Sequence, residues 1–438
     1  MTSRLQLGAS TSLDIWLKHL ESLHSREIDL GLDRVRAVAE RLKLPLTSEQ
    51  RANQALVFSG TNGKGSTLAL TESMALAQGL SVGSYTSPHF FDFNERIKIN
   101  GTPVSDETIT AAFARIEAAR LTPLEDAISL SYFEFATLAG LLIFQDAGVD
   151  LWLLEVGLGG RLDAVNIVDA DLAVLVTVAQ DHAEYLGADL EFIGHEKAGT
   201  FRQNRPVVLG SSKLPASVED YAQNLACPIF QLDKTFQRSL PVDNLWSWQG
   251  LNKQNQPMHF NQLPTCSLPL DNAATAIQAL ILLYPQLTET AIKQGLAAAK
   301  LTGRMQGEGR WLLDVAHNPE AASYLAARLE ELPSKKRLGL VGMMADKDIK
   351  ASLQPLLPLV DAWVVTSLPL PRAMPAKELA SLLESLGAKV VLADPDTQGG
   401  LAFSTAKQLL DQAYDEVLVM GSFFTLAQVL RQLPKSEA

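Results

Sequence analysis

The chain has 438 residues, 47% of them apolar, with a formal net charge of −12 and two cysteines. That length exceeds one ordinary core and implies two domains. The apolar fraction excludes a disordered chain, and the acidic balance argues against a nucleic-acid partner, which would call for a basic face. Cys227 and Cys266 have neither metal-ligand spacing nor a disulfide framework, so free thiols in a reducing, cytoplasmic compartment are expected. No apolar run is long enough to span a bilayer, and no apolar leader follows the first arginine, so no membrane partner is expected.

In chain order, residues 12–24 place Leu13, Trp16, Leu17, Leu20 and Leu23 on one helical face. Residues 54–59 read as a buried strand running into SGTNGKGST, residues 59–67. Gly60, Gly63 and Gly65 remove Cβ atoms, so backbone N–H groups can converge on phosphate oxygens. Lys64 supplies a point charge, and Ser66 and Thr67 open a helix whose stop is Gly79. The hydroxyl falls one place later than in G-x-x-x-x-G-K-[ST], because Gly65 intervenes. The stretch is therefore either a variant phosphate loop or a glycine turn with an exposed lysine.

Three apolar runs of strand length follow, at 149–156, 170–178 and 205–210. Their continuous hydrophobicity predicts a parallel sheet covered on both faces. The first ends in Glu155 before a glycine-rich turn. A carboxylate at that edge is placed for Mg²⁺, or is simply solvated in the turn. The second ends before Asp181 and His182, and imidazole is a poor ligand for a hard cation, so a structural histidine stands beside ligation. Lys197, in a predicted helix, reads from its neighbours as a surface lysine beside Glu196. Residues 232–270, with prolines, two tryptophans and many Asn and Gln, read as short β-strands or irregular edge structure.

A helix at 271–285 and a shorter one ending near Lys300 precede a second series of strands at 310–316, 338–344, 361–367, 388–394 and 415–422. Five βα units make this a Rossmann-like domain. The division falls at 1–298 and 299–438. Asp314, His317 and Asn318 follow the first of these strands, with Pro319 suited to the first turn of a helix.

SGTNGKGST, YTSPH, LEVGLGGRLDAVN, DHAEYLG, EKAGTF, DNAATA, LTGRMQ and DVAHNP occur in this order. Together they resemble the Mur ligase superfamily, and within it the folylpolyglutamate synthases, over nearly the whole chain. LHSREIDLGLDRV and LSYFEF further resemble that family's bifunctional bacterial members. The family's phosphate loop has the form G-T-N-G-K-G-[ST], so the opening glycine stretch looks intact by that standard. The resemblance implies an α/β fold with an N-terminal phosphate-loop ATPase domain and a C-terminal Rossmann-like domain that closes the site and holds glutamate.

The implied activity is ATP-dependent addition of L-glutamate to dihydropteroate and to reduced folates through an acyl phosphate, by a monomer. The implied metal is one or two Mg²⁺ ions, with Mn²⁺ able to substitute. The alternatives are a folylpolyglutamate synthase without the first activity, another Mur-type ligase, or a phosphate-loop kinase. By the same resemblance Thr61, Asn62, Gly63, Lys64, Gly65 and Ser66 cradle the ATP phosphates. Ser87, Glu155 and His182 look like metal ligands. Lys197 matches a carbamylated lysine. Asn272, Arg304 and Asp314 match positions that reach ATP across the domain cleft, with His317 in the same motif. For the pterin, Asp29, Leu30, Gly31 and Leu32 match contacting stretches, as do Ser131, Tyr132 and Phe133, with Asp163 and Ala164. A ring such as Phe133 can stack on a flat pterin, and core packing is its alternative.

Overall fold

A computed structural model of the protein describes residues 7–24, 29–181 and 183–434. The chain divides into two compact units. One comprises residues up to Gln180 with Leu186–Lys300, and the other comprises residues from Leu301 onward together with Asp181–Tyr185. Among the described residues no helix is long and apolar enough to cross a membrane.

The first unit is built on an eight-stranded sheet. In chain order its strands are β1 (Gln54–Ser59), β2 (Val82–Tyr85), β3 (Ile97–Ile99), β4 (Thr102–Pro103), β5 (Leu151–Glu155), β6 (Leu172–Leu175), β7 (Val207–Leu209) and β8 (Ile229–Gln231). Across the sheet they lie in the order β4-β3-β2-β5-β1-β6-β7-β8. The six strands from β2 to β8 run parallel, while β3 and β4 add an antiparallel edge. The continuous apolar runs thus lie in the covered centre, as parallel pairing requires. β6 is shorter than its run, because the chain beyond Leu175 turns to the glycine loop: Thr61 N–H donates to Thr177 O at 2.8 Å.

Helices close both faces. In Leu13–Leu23 the side chains of Leu13, Trp16 and Leu20 are buried, and Leu17 and Leu23 pack half-buried against the same core. Trp16 meets Phe113 at 5.7 Å between ring centroids, and Phe113 meets Phe135 at 5.3 Å, both edge-on. Phe135 lies on the helix Tyr132–Ala147, which is buried from Glu134 to Phe144. At the opposite end of β1, the Arg51 side chain is fully enclosed. It donates to Leu46 O at 2.7 Å and pairs with Asp171 Oδ2 at 2.8 Å, and the same oxygen accepts from Ala55 N–H at 2.9 Å. The expected edge strands form an antiparallel three-stranded sheet, β9 (Gln237–Arg238), β10 (Leu245–Leu251) and β11 (Pro257–Pro264). It is anchored by buried Trp248, whose indole N–H donates to Ala274 O at 3.1 Å.

The second unit has strands β12 (Gln306–Glu308), β13 (Trp311–Leu313), β14 (Arg337–Val341), β15 (Ala362–Thr366), β16 (Val390–Asp394) and β17 (Glu416–Met420), ordered β12-β13-β17-β14-β15-β16. All pairs are parallel except β12–β13. The helix Pro319–Glu330 opens with proline in its first turn, and Asn318 caps it by accepting from Ala321 N–H at 2.9 Å. This is the arrangement the N-cap rule favours.

Candidate active site

β1 ends at Ser59 and the helix Lys64–Ala77 begins two residues earlier than its hydroxyls suggest. Between them the loop is clamped to the chain that follows β6. Thr61 Oγ1 donates to Ala179 O and accepts from Ala179 N–H, both at 3.0 Å, and Asn62 N–H donates to Thr177 Oγ1 at 3.0 Å. Gly63 occupies the N-cap position at φ +86°, and no side chain caps the helix. A Cβ at Gly63 would stand 2.8 Å from Val176 Cγ1 and 3.0 Å from the Asn272 amide nitrogen. Glycine is therefore required twice over, by its backbone angle and by its neighbours. An uncapped helix start presents unsatisfied N–H groups and the positive end of the helix dipole, the setting for an anion. Asn272 is buried on the helix Leu270–Leu283 and so lies directly against this loop.

Two amines converge beneath the loop. Lys64 Nζ donates to Gly60 O at 3.0 Å and Thr61 O at 3.3 Å. Lys197 Nζ donates to the same Gly60 O at 3.1 Å. Lys197 is not a surface lysine: it is 5% exposed on the helix Leu190–Ala198. Its neighbour Glu196 is buried as well, pairing with Arg161 Nε at 2.8 Å and tying the glycine-rich turn after β5 to this helix. The surface reading fails because the turn covers the helix: a Cβ at Gly160 would lie 2.8 Å from Glu196 O. Ser66 and Thr67 are buried in the first turn, with Thr67 Oγ1 donating to Gly63 O at 2.9 Å.

Glu155, at the end of β5, sits in register with Phe58 of β1, so its carboxylate emerges on the edge that carries the loop. Ser87 N–H donates to Glu155 Oε2 at 3.2 Å. The segment holding Ser87 is fastened by Thr86 N–H to Arg96 O at 2.9 Å and by Arg96 Nε to His89 Nδ1 at 2.8 Å. Burial and the adjacent guanidinium depress His89 to about 4, so the ring is neutral and accepts through Nδ1. His182, the third expected metal ligand, lies outside the described residues. Among the described residues no group of three or more His, Cys, Asp or Glu is arranged to hold a metal.

The three stretches matched to the pterin come together. Gly31 N–H donates to Leu162 O at 3.2 Å, joining Asp29–Leu32 to the turn before Asp163 and Ala164. Ser131 caps the helix Tyr132–Ala147 in a reciprocal box with Glu134. Phe133 leans over Gly157, where a Cβ would stand 2.7 Å from its Cζ and 3.3 Å from Asp163 Oδ2. Phe133 also meets Tyr85 at 6.0 Å, so its ring borders both the core and the glycine turn. Tyr132 is half-buried, with the Arg96 guanidinium carbon 5.6 Å from its ring centre. Leu30 is exposed and Leu32 packs on the core. Asp163 is buried and accepts from the N–H groups of Gly157, Leu158 and Val165 at 3.0, 2.9 and 3.0 Å. Holding the turn is thus one role of this carboxylate. Burial raises it to about 6, opposed by those three donors and by Lys64.

In the second unit Asp314 accepts from Met305 and Ala316 N–H groups, both at 2.9 Å. Burial raises its pKa, and Arg304 opposes the rise. The Arg304 guanidinium carbon lies 5.8 Å from the Phe423 ring centre. His317 Nδ1 lies 2.9 Å from Val315 O, which fixes the proton on Nδ1 and directs Nε2 outward, 3.6 Å from Asp181 Oδ2. Asp181 also pairs with Lys347. Lys347, Arg96 and the Thr177 clamp lie outside the glycine and strand-end signals read from the sequence. Only the short D-K-D run marks Lys347.

The uncapped glycine loop between β1 and its helix makes this an α/β protein of the phosphate-loop class. Residues 302–423 match the family described as Mur ligase, glutamate ligase domain. The chain is 40% identical over 432 residues to the dihydrofolate synthase/folylpolyglutamate synthase of Escherichia coli, covering 96% of each chain. It belongs to the dihydrofolate synthase/folylpolyglutamate synthase family. The fold matches a structure of E. coli FolC in complex with DHPP and ADP at TM-score 0.87 and 40% identity, covering 97% of this chain and 98% of that one. It also matches a bifunctional folylpolyglutamate synthase/dihydrofolate synthase with Mn, AMPPNP and L-glutamate bound at TM-score 0.84 and 40% identity, with the same coverage.

Proposed function

We propose that this chain is the bifunctional ligase of its family. It uses ATP to join L-glutamate to dihydropteroate, giving dihydrofolate, and to reduced folates, giving polyglutamates. The observation that carries the reading is the intact phosphate loop with Lys64, Lys197, Glu155 and Ser87 gathered around it, in a chain similar to such enzymes over nearly its whole length. A carboxylate oxygen of the pterin substrate bonds to the γ-phosphorus of ATP as the bond to the bridging oxygen breaks, releasing ADP. The glutamate amine then attacks the acyl carbon, phosphate departs with the C–O electron pair, and the amine loses a proton. Two anions must meet, so the site has to supply positive charge and fixed N–H donors.

Thr61, Asn62, Gly63, Gly65 and Ser66 supply loop N–H and hydroxyl groups to the phosphates, and Lys64 supplies charge. Asn272, Arg304 and Asp314 are assigned to the nucleotide, and His317 to nucleotide or phosphate. Glu155 and Ser87, held together by the Ser87 backbone N–H donating to Glu155 Oε2, offer oxygen ligands that suit a hard cation and would hold Mg²⁺ with His182. That ion would screen the phosphate charge. Lys197 is assigned as the carbamylated lysine, a buried amine whose Nζ shares Gly60 O with Lys64 Nζ. Asp29–Leu32, Ser131–Phe133 and Asp163–Ala164 are assigned to the pterin; Phe133 and Asp163 meet at Gly157 and Gly31 reaches Leu162, which supports that assignment.

Phosphate release is the test, with ATP, Mg²⁺, glutamate and dihydropteroate each omitted in turn. Release must need all four. Turnover without dihydropteroate and glutamate would overturn the reading. Tetrahydrofolate in place of dihydropteroate tests the second activity, and turnover with tetrahydrofolate alone would instead identify a monofunctional folylpolyglutamate synthase.

A further inference from the structure

We infer that Arg34 is a positioning residue for the pterin substrate, acting as a cross-brace between two of the stretches that receive it. The inference rests on the pterin assignment proposed above. Arg34 stands in the first turn of the helix Asp33–Arg41, whose Val35, Val38 and Ala39 are buried and fix the helix in place. One arm of its guanidinium pairs with Asp29 Oδ2 at 2.8 Å. The other arm donates to Asp29 O at 2.9 Å and to Glu134 Oε1 at 3.1 Å. Glu134 is 2% exposed, and its second oxygen accepts the N–H of Ser131 at 2.7 Å. A single side chain therefore connects the carboxylate and backbone of Asp29 to the residue that shapes the Ser131 turn.

The Arg34 brace acts together with other contacts on the 29–32 segment. His24 Nε2 reaches the same Asp29 oxygen at 3.0 Å, and its Nδ1 reaches Ser129 Oγ at 2.8 Å. Gly31 N–H donates to Leu162 O. Asp29 is thus gripped from the side of Ser129 and from the side of Glu134, and Gly31 from the side of Asp163. Three acceptors at different angles match the planar fork of arginine and not the single point charge of lysine. Glu134 is also a buried carboxylate whose cationic partner is Arg34, so loss of the guanidinium changes both ends of the brace.

The test compares Arg34→Lys and Arg34→Gln with the wild-type enzyme, measuring KM for dihydropteroate and for ATP, kcat, and thermal melting. We expect both variants to raise the KM for dihydropteroate about tenfold or more, with the KM for ATP within about twofold. Lysine should not rescue. If Arg34→Gln does not fold, Arg34→Lys, which keeps a cation facing both carboxylates, carries the test alone. A wild-type dihydropteroate KM in Arg34→Lys, or an equal rise in both KM values, overturns the inference. Phe133→Ala run alongside separates two kinds of failure. If it raises the dihydropteroate KM while the Arg34 variants do not, the brace is wrong and the pterin assignment stands. If neither raises it, the assignment itself falls.

Discussion

Gly63→Ala should weaken ATP use out of proportion to its effect on folding, and Gly79→Ala is the matched control. The two glycines have nearly the same backbone angle, φ +86° and +89°. Nothing lies within 4 Å of a Cβ at Gly79, whereas at Gly63 the Cβ meets Val176 at 2.8 Å and Asn272 at 3.0 Å. The left-handed backbone alone costs about 1–2 kcal/mol in either variant. Gly63→Ala adds an overpacked contact of about 1–3 kcal/mol, giving about 2–5 kcal/mol in all. Val176 follows β6 and Asn272 is buried, so the loop must give way. A shift of even a few tenths of an ångström disturbs N–H groups that have to converge on phosphate. Phosphate-release kinetics at saturating dihydropteroate and glutamate should show kcat/KM for ATP reduced about 100-fold in Gly63→Ala, equivalent to about 2.7 kcal/mol. The Gly79 variant should stay within about twofold. Thermal melting of both variants supplies the folding cost. Equal melting losses together with unchanged ATP kinetics in Gly63→Ala would refute the reasoning.

Lys64→Ala should abolish phosphate release while leaving the fold intact, since among the described residues its amine donates to the loop carbonyls of Gly60 and Thr61; near-normal turnover would remove it from the phosphate site. Asp163 provides a pH signature: burial raises its pKa from 3.8 to about 6, so the folded state holds the proton more tightly than the unfolded chain. Its stabilising effect is full below pH 4 and is lost as pH rises to 6, by at most about 3 kcal/mol. The stability deficit of Asp163→Asn should therefore narrow over that interval in urea unfolding at matched pH, and a widening deficit would contradict the sign. Asp171→Ala leaves the enclosed Arg51 cation without its carboxylate and should destabilise by about 3–5 kcal/mol, read from denaturant midpoints, with ATP kinetics of the surviving folded enzyme unchanged. Intact-mass or peptide spectra taken without acid should show the added carboxyl group on Lys197, and a bare amine in active enzyme would count against carbamylation.

What the sequence revealed and what it hid follow from the range of the forces involved. β1 and four of the five strands predicted for the second unit were legible because a strand covered on both faces must be apolar throughout, and that is a local property of the chain; β16, at the sheet edge and partly exposed, was legible from its apolar V-V-L-A run alone. β2, β3, β4 and β8 were not, being two to four residues long and lying toward the sheet's edges or among polar turns. The phosphate loop was legible because its requirement, backbone without Cβ, is written in glycine. Lys197 was misread from its neighbours because burial there is decided by the turn at 157–161, some 36 residues away, packing over its helix. Arg34 illustrates the same limit more sharply. Its partners Asp29 and Glu134 lie 5 and 100 residues away, and nothing in a D-R-V-R helix start separates a brace from an ordinary surface arginine. Glycines and strand-end acids carry their reason in the local sequence, whereas a cation acquires its role only from the acceptors that the fold brings to it. The residues most open to reassessment in this family are therefore the arginines and lysines beside the recognised motifs, and the pairing of Arg34 with buried Glu134 makes that reassessment measurable.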